Sequence, residues 1–474
     1  GNGIDDDHNG YVDDIYGWNF IGGKDGRNVK ANSDEASRVY HKLKAKYGDT
    51  VPDISSAKTP EEKAEIEMYR KAKLKVDAVI SEVDLVLLKR IYANLHRSDS
   101  ILQINMGEKV FTGDEVAEYT PVTLLAERAK ATYVGLMQAY KSMDETNKEF
   151  MEGFEQYLSG EERKIQNRTA APKDLRGEIV KDDETNINDR FYGNNDVMAN
   201  TPVHGTHVSG IIAAARNNGK GGNGVADNVK IMTVRAVPDG DEHDKDIALA
   251  IRYAVDNGAQ IISMSFGKDF SPQKKWVDDA IKYAESKDVL LVHAAGNDHK
   301  NIDTADNFPN AVFADGTGRS NTFITVGASG DKSNGGLVAE FSNYGKKEVD
   351  VFSPGVKIYA TLPGSEYGKL SGTSMAAPVV SGIAAFLLEY YPDLSARQLK
   401  YVIEKSIVPA NEKVNMPGSE EKASAEKVNL SDISKTGGFV NAYEAAKLAA
   451  TLKGERNVTQ PIIIKPKIVN KKKG

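Results

Sequence analysis

The chain has 474 residues, 40% of them hydrophobic, which is enough material for a large core and for two or three domains. Its formal net charge of −7 argues against nucleic acid or an anionic membrane as a partner. No apolar run reaches the ~18 residues that a bilayer span requires, so we expect no membrane span. The absence of cysteine excludes a disulfide-stapled scaffold but does not decide the cellular compartment.

The chain opens with an acidic stretch in which oxygen-bearing side chains alternate around a glycine. Asp5, Asp7 and Asn9 have the spacing of the first three ligands of a calcium loop, and Asp13 falls at the ninth position. The twelfth position is Tyr16, where an EF-hand carries a bidentate carboxylate. The stretch therefore predicts either a structural calcium site or a solvated acidic loop before a strand.

Residues 31–170 are rich in Lys, Glu, Ala and Leu and poor in strand formers, which predicts a helical block. Three helix starts are marked by capping residues or by proline at the first helical position: Asn32, Thr59-Pro60 and Thr120-Pro121. Between 60 and 95 apolar residues recur at helical spacing, namely Val76, Val79, Ile80, Val83, Leu87 and Ile91. This spacing predicts one long helix with a buried face.

Apolar segments alternate with helical ones in the rest of the chain. Strands are predicted at 229–237, 261–266, 289–293, 323–328 and 349–352, and helices at 246–257 and 395–406. Such an alternation of strands and helices predicts an α/β fold with a parallel sheet. His243 and His299 lie in polar segments without an evident partner, so we expect both on the surface.

Small residues surround a serine at the start of an apolar helix. The stretch GTSMAAP, 372–378, runs into apolar residues spaced at i, i+3, i+4 and i+7, which predicts a buried helix opened by Ser374. Free N–H groups and the helix dipole at such a start stabilise negative charge beside the serine oxygen. Ser374 is therefore either a nucleophile or an ordinary N-cap serine.

The stretch HGTHVSG, 204–210, places a reactive side chain at the start of a second helix of small residues. A hydroxyl is a weak nucleophile and needs a neutral imidazole within hydrogen-bond reach to take its proton. His204 at the helix start could accept that proton. We expect His207, one turn later, to pack beneath the helix instead.

A third stretch ends the strand predicted at 289–293 with AAGN, 294–297, a small-residue turn that presents Asn297. A carboxamide N–H aimed at a tetrahedral oxygen stabilises a transition state by ~3 kcal/mol. Asn297 is therefore a candidate oxyanion donor. The alternative is a turn asparagine in a left-handed conformation.

HGTHVSG, AAGN and GTSMAAP occur in the order found in the subtilisin-like serine proteases, the subtilases, and the chain resembles that family over about 1–30 and 180–450. The resemblance implies that His204 is the general base and Ser374 the nucleophile. It implies that the Asn297 side chain and the Ser374 N–H form the oxyanion hole.

The same resemblance implies a three-layer, doubly wound, mostly parallel α/β sheet with an inserted α-helical subdomain. Ser265, Phe266 and Gly267 match the strand that lines the substrate pocket, and the segment near Gly240 matches one that lies across the cleft. The substrate would be a peptide or a protein. The family also implies a secreted, periplasmic or cell-surface location.

One element of the subtilase pattern is missing. The triad aspartate of the family stands in an Asp-Ser-Gly or Asp-Thr-Gly turn after an apolar strand, and no such turn precedes His204. Asp25-Gly26 lacks the apolar strand. We therefore expect the aspartate on an upstream segment that this sequence does not contain. Two functions stay open, a serine endopeptidase and a catalytically inactive, peptide-binding relative.

The sequence predicts four parts: 1–30 as the N-terminal part of the protease domain, 31–170 as the helical insertion, 171–451 as the main part of the catalytic domain, and 452–474 as a basic tail. The insertion separates the expected aspartate from His204 along the chain. It is therefore either an arm that restricts access to the substrate cleft or an insertion without such a role.

Overall fold

The computed structural model describes residues 1–140, 142–199, 202–331, 336–419 and 426–456. The chain forms two compact units. One comprises Gly1–Asn28, Asp182–Ala236 and His243–Gly474, and the other comprises Val29–Lys181 and Val237–Glu242. Most of the predicted basic tail, from 457 onwards, lies outside the described residues.

In the described part of the unit that begins at Val29, the named elements are all helices. Its helices are α1 Glu35–Tyr47, α2 Pro60–Asp77, α3 Glu82–Met106, α4 Gly113–Glu118, α5 Leu124–Ala139, α6 Asn147–Thr169 and α7 Leu175–Val180. Its core is rich in aromatic side chains because Phe111, Tyr133, Phe150 and Phe154 pack against the faces of α3 and α5. We refer to it as the helical unit.

Capping side chains fix where these helices begin. The Thr59 side chain accepts a hydrogen bond from Glu62 N and Pro60 is the first helical residue, as predicted. The helix starts predicted at Asn32 and Thr120 lie slightly later in the structure, because Asp34 caps α1 and Thr123 caps α5.

The prediction of one long helix between 60 and 95 was wrong. Ser81 forms a capping box with Asp84 and starts α3 as a new helix, so the apolar spacing runs across a break. Val83 is 77% exposed and Leu87 is 56% exposed. The apolar stripe is therefore not the buried face that its spacing indicated.

Residues Val237–Glu242 belong to the helical unit although they follow its helices by more than 50 positions. Asp239 forms a parallel β-bridge with the start of the unit, in which Asn32 N donates to Asp239 O and Asp239 N donates to Lys30 O. The Arg38 guanidinium donates to the carbonyls of Asp241 and Glu242. Backbone pairing and one half-buried arginine therefore hold this segment.

The second unit, which we call the sheet unit, has twelve strands in its described part. They are β1 Gly17–Asn19, β2 Thr233–Arg235, β3 Ile261–Met264, β4 Leu290–Ala294, β5 Phe323–Ser329, β6 Val351–Pro354, β7 Ile358–Leu362, β8 Glu366–Leu370, β9 Val408–Pro409, β10 Val414–Asn415, β11 Lys427–Val428 and β12 Gly438–Phe439. The helices are α8 Pro202–Ala213, α9 Asp244–Asp256, α10 Lys274–Ser286, α11 Thr373–Tyr390, α12 Ala396–Lys405, α13 Leu430–Ile433 and α14 Ala442–Ala449.

Six of the described strands form one sheet in the order β3-β4-β5-β6-β12-β9. The others form three two-stranded sheets, namely the parallel pair β1-β2 and the antiparallel pairs β7-β8 and β10-β11. The strands β3 to β6 pair in parallel, and β12 continues the sheet in parallel with β6. Every residue of β4 and β5 is buried, which explains why their sequences are mostly apolar. The predicted α/β fold with a mostly parallel sheet is confirmed.

Helix α11 packs its small and apolar residues against the central strands, so that Ala376, Val380 and Leu387 share one core cluster with β4 and β5. By length and composition α11 is the one helix in the described part of the chain that could cross a bilayer. Within the fold 67% of that helix is buried. It is therefore the central core helix of the sheet unit.

His243 was wrongly predicted to be a surface residue. It is 6% exposed, and its Nδ1 lies 2.5 Å from Glu184 Oε1. The residues that cover it come from a distant segment, which its polar sequence neighbours do not reveal. His299, by contrast, is exposed as expected.

Shortening Leu387 to alanine should lower the free energy of unfolding by about 2–5 kcal/mol, because Leu387 is fully buried in the core cluster of α11. Leu387→Met conserves the side-chain volume and should cost less than about 1.5 kcal/mol. Urea denaturation followed by circular dichroism measures both. Equal stability of the two variants would contradict the assigned core.

Candidate active site

Ser374 is the second residue of α11 and is half-buried. The first N–H groups of a helix have no acceptor within the helix, and the positive end of the helix dipole lies beside them. Gly372 precedes the helix and donates its N–H to Gly355 O at 2.8 Å, which anchors the turn into α11. The serine thus stands at the helix start that its sequence predicted.

Asn297 follows β4 and is exposed, yet its carboxamide has a fixed orientation. Its Oδ1 accepts hydrogen bonds from Thr373 N at 2.9 Å and from Thr373 Oγ1 at 2.8 Å. Since a backbone N–H can only donate, the oxygen of the carboxamide must face Thr373. The Nδ2 group is therefore left as a donor on the other side.

Two N–H donors border the same space at the start of α11. A methyl group added to Gly372 would lie 3.4 Å from Asn297 Nδ2 and 3.6 Å from Ser374 N. Because Gly372 has no side chain, this space stays open beside the serine. A small oxygen atom there could accept hydrogen bonds from both donors.

Ser265, Phe266 and Gly267 directly follow β3, which ends at Met264. Ser265 Oγ donates to Ser374 O at 2.9 Å, and Ser374 Oγ makes a long hydrogen bond of 3.4 Å to Ser265 O. Ser265 and Phe266 are half-buried and Gly267 is exposed. The segment that was predicted to bind substrate therefore lies beside the candidate nucleophile.

His204 lies on the first turn of α8, and that helix packs on α11 through Val208, Ile211 and Met375. In the parts of the chain described here, no hydrogen bond joins the His204 ring to Ser374 or to a carboxylate. The His204 residue is exposed to solvent. Partial loss of hydration next to the protein, followed by the charge that His207 carries when protonated, lowers the pKa of His204 below its ordinary value of 6.5.

His207 is fully buried beneath the helix, with Nε2 3.2 Å from Gly368 O. It therefore packs where we expected it, between α8 and the hairpin of β7 and β8. Its burial leaves His204 as the accessible imidazole on this turn.

The N-terminal acidic loop forms its own hydrogen-bond network. Asp5 and Asp7 both accept from Asn9 N, and Asn9 Nδ2 donates to Asp14 Oδ2 at 2.9 Å. The two oxygens of Asp13 instead accept from the N–H groups of Asn2 and Gly3. Burial raises the pKa of the Asp7 carboxyl, and the charges of Asp14 and Asp5 raise it further.

Calcium at this loop stays a prediction. Among the described residues, no group of three or more His, Cys, Asp or Glu side chains is arranged to hold a metal ion. Asp13, which was predicted to be the fourth ligand, is directed to the N-terminal backbone. Asp14 was not predicted, and it links this loop to Tyr253, whose hydroxyl donates to Asp14 Oδ2 at 2.6 Å.

Sequence reasoning missed Thr373, the residue that orients Asn297. Its hydroxyl also accepts a hydrogen bond from Gly296 N at 3.0 Å, so it joins the turn after β4 to the start of α11. The only signal in the sequence is its place directly before Ser374. Threonine in that place reads equally well as a capping residue.

The chain is similar in sequence to known proteins. A sequence model described as the subtilase family matches residues 119–432. The chain is 40% identical over 215 residues to the thermophilic serine proteinase of Bacillus sp. (strain AK1), covering 45% of this chain and 48% of that protein. It is 37% identical over 231 residues to the major intracellular serine protease of Bacillus subtilis (strain 168), covering 48% of this chain and 67% of that protein.

Thermitase of Thermoactinomyces vulgaris is 34% identical over 258 residues, covering 54% of this chain and 79% of that protein. The chain thus spans about half the length of the thermophilic proteinase and most of the length of thermitase. The family match includes His204, Asn297 and Ser374 and covers more than half of the chain. The chain belongs to the subtilase family.

Proposed function

We propose that this protein is a serine endopeptidase in which Ser374 attacks the carbonyl carbon of a peptide bond. The Ser374 hydroxyl proton passes to His204 as the new C–O bond forms, and His204 then delivers it to the leaving amine as the C–N bond breaks. Water hydrolyses the resulting ester and regenerates the serine. The observation that carries the proposal is the pair of donors beside Ser374.

The oxyanion of the tetrahedral intermediate would occupy the space above Gly372. Asn297 Nδ2 and Ser374 N border that space, and Thr373 holds the carboxamide so that no reorientation is needed during the reaction. Preorganised donors of this kind stabilise the charge that develops in the transition state more than they stabilise the substrate.

The lowered pKa of His204 suits a general base, because the imidazole is then neutral and able to accept a proton at neutral pH. A carboxylate partner would raise that pKa again, since it stabilises the imidazolium form. We propose that an aspartate outside residues 1–474 is this partner.

Unpaired strand edges support an additional strand. In the described sheets β3 has a partner on one side only, and β2 pairs only with β1. Helix α9 connects β2 to β3, and strand–helix–strand connections normally join parallel strands of one sheet. β3 is half-buried over its first three residues, unlike the fully buried β4. One parallel strand between β2 and β3 would complete a continuous sheet, and its carboxyl end would carry the aspartate.

The alternative function is an inactive, peptide-binding relative. It is favoured by one observation, that His204 has no carboxylate partner in the described part of the chain. Ser374, the oriented Asn297 and the intact motif around His204 favour the enzyme, since binding alone does not require a nucleophile, a base and an oxyanion donor together.

We also propose export to the periplasm, the cell surface or the medium, as the family resemblance implies. One relative is named an intracellular protease, so the family includes both compartments. Fractionation of cells that express the complete gene decides between them.

Labelling with a fluorophosphonate tests the nucleophile. Protein expressed from the complete gene should be modified at Ser374, about 10⁴-fold faster than residues 1–474 alone, because loss of the triad aspartate costs about that factor in kcat. Mass spectrometry of peptides locates the adduct. Labelling at another residue, or equal labelling of Ser374→Ala, would contradict the assignment. Complete protein that folds and is not labelled would establish the inactive relative.

Replacing Thr373 with valine should lower kcat by about tenfold, because it removes one of the two hydrogen bonds that orient the Asn297 carboxamide and leaves only the bond from Thr373 N. Thr373→Ser keeps the hydroxyl and should stay near wild type. Asn297→Ala removes the donor itself and should lower kcat by about 10²–10³-fold, the effect of removing one oxyanion-hole donor in subtilisin. This is the largest loss in kcat expected from disturbing the carboxamide. Peptide hydrolysis by the complete protein measures all three. Equal rates for the valine and serine variants would show that the Thr373 hydroxyl does not help to orient the Asn297 carboxamide.

Calcium should raise the melting temperature if the acidic loop binds it in the folded state. The crowded charges of Asp5, Asp7 and Asp14 support this proposal, since a divalent cation would neutralise them. Asp7→Asn should abolish the shift, whereas Asp25→Asn, in an exposed pair with Arg27, should leave it intact. Identical melting curves in chelator and in millimolar calcium would rule the site out.

A further inference from the structure

A buried histidine lies directly behind the segment Ser265–Gly267. His293 is the fourth residue of β4, a strand whose other residues are apolar, and it is 0% exposed. Its ring packs 5.7 Å from the Phe323 ring and 6.4 Å from the Phe266 ring. A polar side chain in this position needs a hydrogen-bond partner to offset its burial.

The partner of His293 is the backbone of the substrate segment. His293 Nε2 lies 2.8 Å from Phe266 O, and a carbonyl oxygen can only accept, so the proton is on Nε2. Nδ1 is buried and has no hydrogen-bond partner within the described residues. Burial lowers the pKa of His293 to about 4, which keeps the ring neutral in this tautomer.

This hydrogen bond lies beyond the strand pairing. The pairing of β3 with β4 ends at Met264 and His293. The carbonyl of Phe266 therefore lies past the last ladder bond of β3. Met264 is the residue of β3 that pairs with His293, and the imidazole bonds to the carbonyl two residues further along the chain.

The segment is held at three places. Ser265 is bonded to Ser374, Phe266 to His293, and Lys268 to Phe308 through a pair of backbone hydrogen bonds of 3.0 and 2.9 Å. His293 is the only one of the three anchors that is a buried side chain behind the middle of the segment. Its loss would free the peptide plane of Phe266 while both ends stay attached.

We propose that His293 is a positioning residue, which fixes the Phe266 carbonyl and so presents the backbone of Ser265–Gly267 to a peptide substrate. The inference rests on the proposed endopeptidase function. His293 touches neither the nucleophile nor the oxyanion donors in any hydrogen bond of the described residues, so its effect should fall on peptide binding and not on the reactivity of Ser374.

Two amide variants separate this role from a general need for a polar side chain. The amide N–H of His293→Gln extends to the position of Nε2 and should keep the bond to Phe266 O. His293→Asn ends one methylene short, at the position of Nδ1, and should lose the bond. Both substitutions place an amide in the same buried pocket, so a difference in KM between them reports on the hydrogen bond to Phe266 O.

In the complete protein we expect His293→Asn to raise KM for a chromogenic tetrapeptide by about five- to tenfold, the effect of one lost hydrogen bond. His293→Gln should stay within about twofold of wild type. The rate of fluorophosphonate labelling at Ser374 should be the same in all three proteins, because this small probe does not pair with the segment.

The other outcomes overturn the inference. Equal KM values for the two variants would make His293 a core residue only. A slower labelling rate together with a raised KM and a lowered melting temperature would lead to the same conclusion. If His293→Asn does not fold, His293→Gln must still bind the peptide like wild type, and a raised KM in that variant rejects the role. Failure of wild type to label at Ser374 would instead reject the proposed function.

Discussion

The hydrogen bonds between Thr373 and Asn297 are the constraint on which the rest of the site depends. They join the turn after β4 to the start of α11, two segments 76 positions apart in the chain. By fixing the carbonyl side of one carboxamide, they decide which side of it faces the serine. The position of the candidate oxyanion donor is thus set by a residue that is itself fully buried.

The sheet brings these segments together because the carboxyl ends of parallel strands meet at one edge. Asn297 follows β4, and Ser265 follows its neighbour β3. Helix α11 packs across the same strands through a core of small and apolar residues, so its first turn arrives at that edge. The packing of α11 against the sheet and the hydrogen bonds at its start therefore both position the candidate site.

The site was predictable from the sequence where reactive residues coincide with element boundaries. Ser374, Asn297 and His204 each stand at the start of a helix or the end of a strand, and both periodicity and glycine mark those boundaries. Thr373 and His293 could not be assigned, because their roles depend on a partner distant in the chain.

The errors have a similar physical origin. Helical spacing between 60 and 95 persists across Ser81, so periodicity alone could not show that a capping box divides the helix. His243 is buried by residues about 60 positions earlier in the chain, including Glu184. Local polarity predicts exposure only when no distant segment covers the residue.

Val237–Glu242 is part of the helical unit but is synthesised after the helices of that unit, which affects how the unit folds during translation. The backbone partners of Lys30 and Asn32 are made more than 200 positions later, so the unit cannot complete its own hydrogen bonds when its last helix leaves the ribosome. At about 5–20 residues per second the wait from Lys181 to Val237 lasts about 3–11 seconds. During that interval the Arg38 guanidinium of α1 lacks two of its acceptors, the carbonyls of Asp241 and Glu242. Folding of the helical unit is therefore tied to translation of the sheet unit, and the two cannot mature as independent modules.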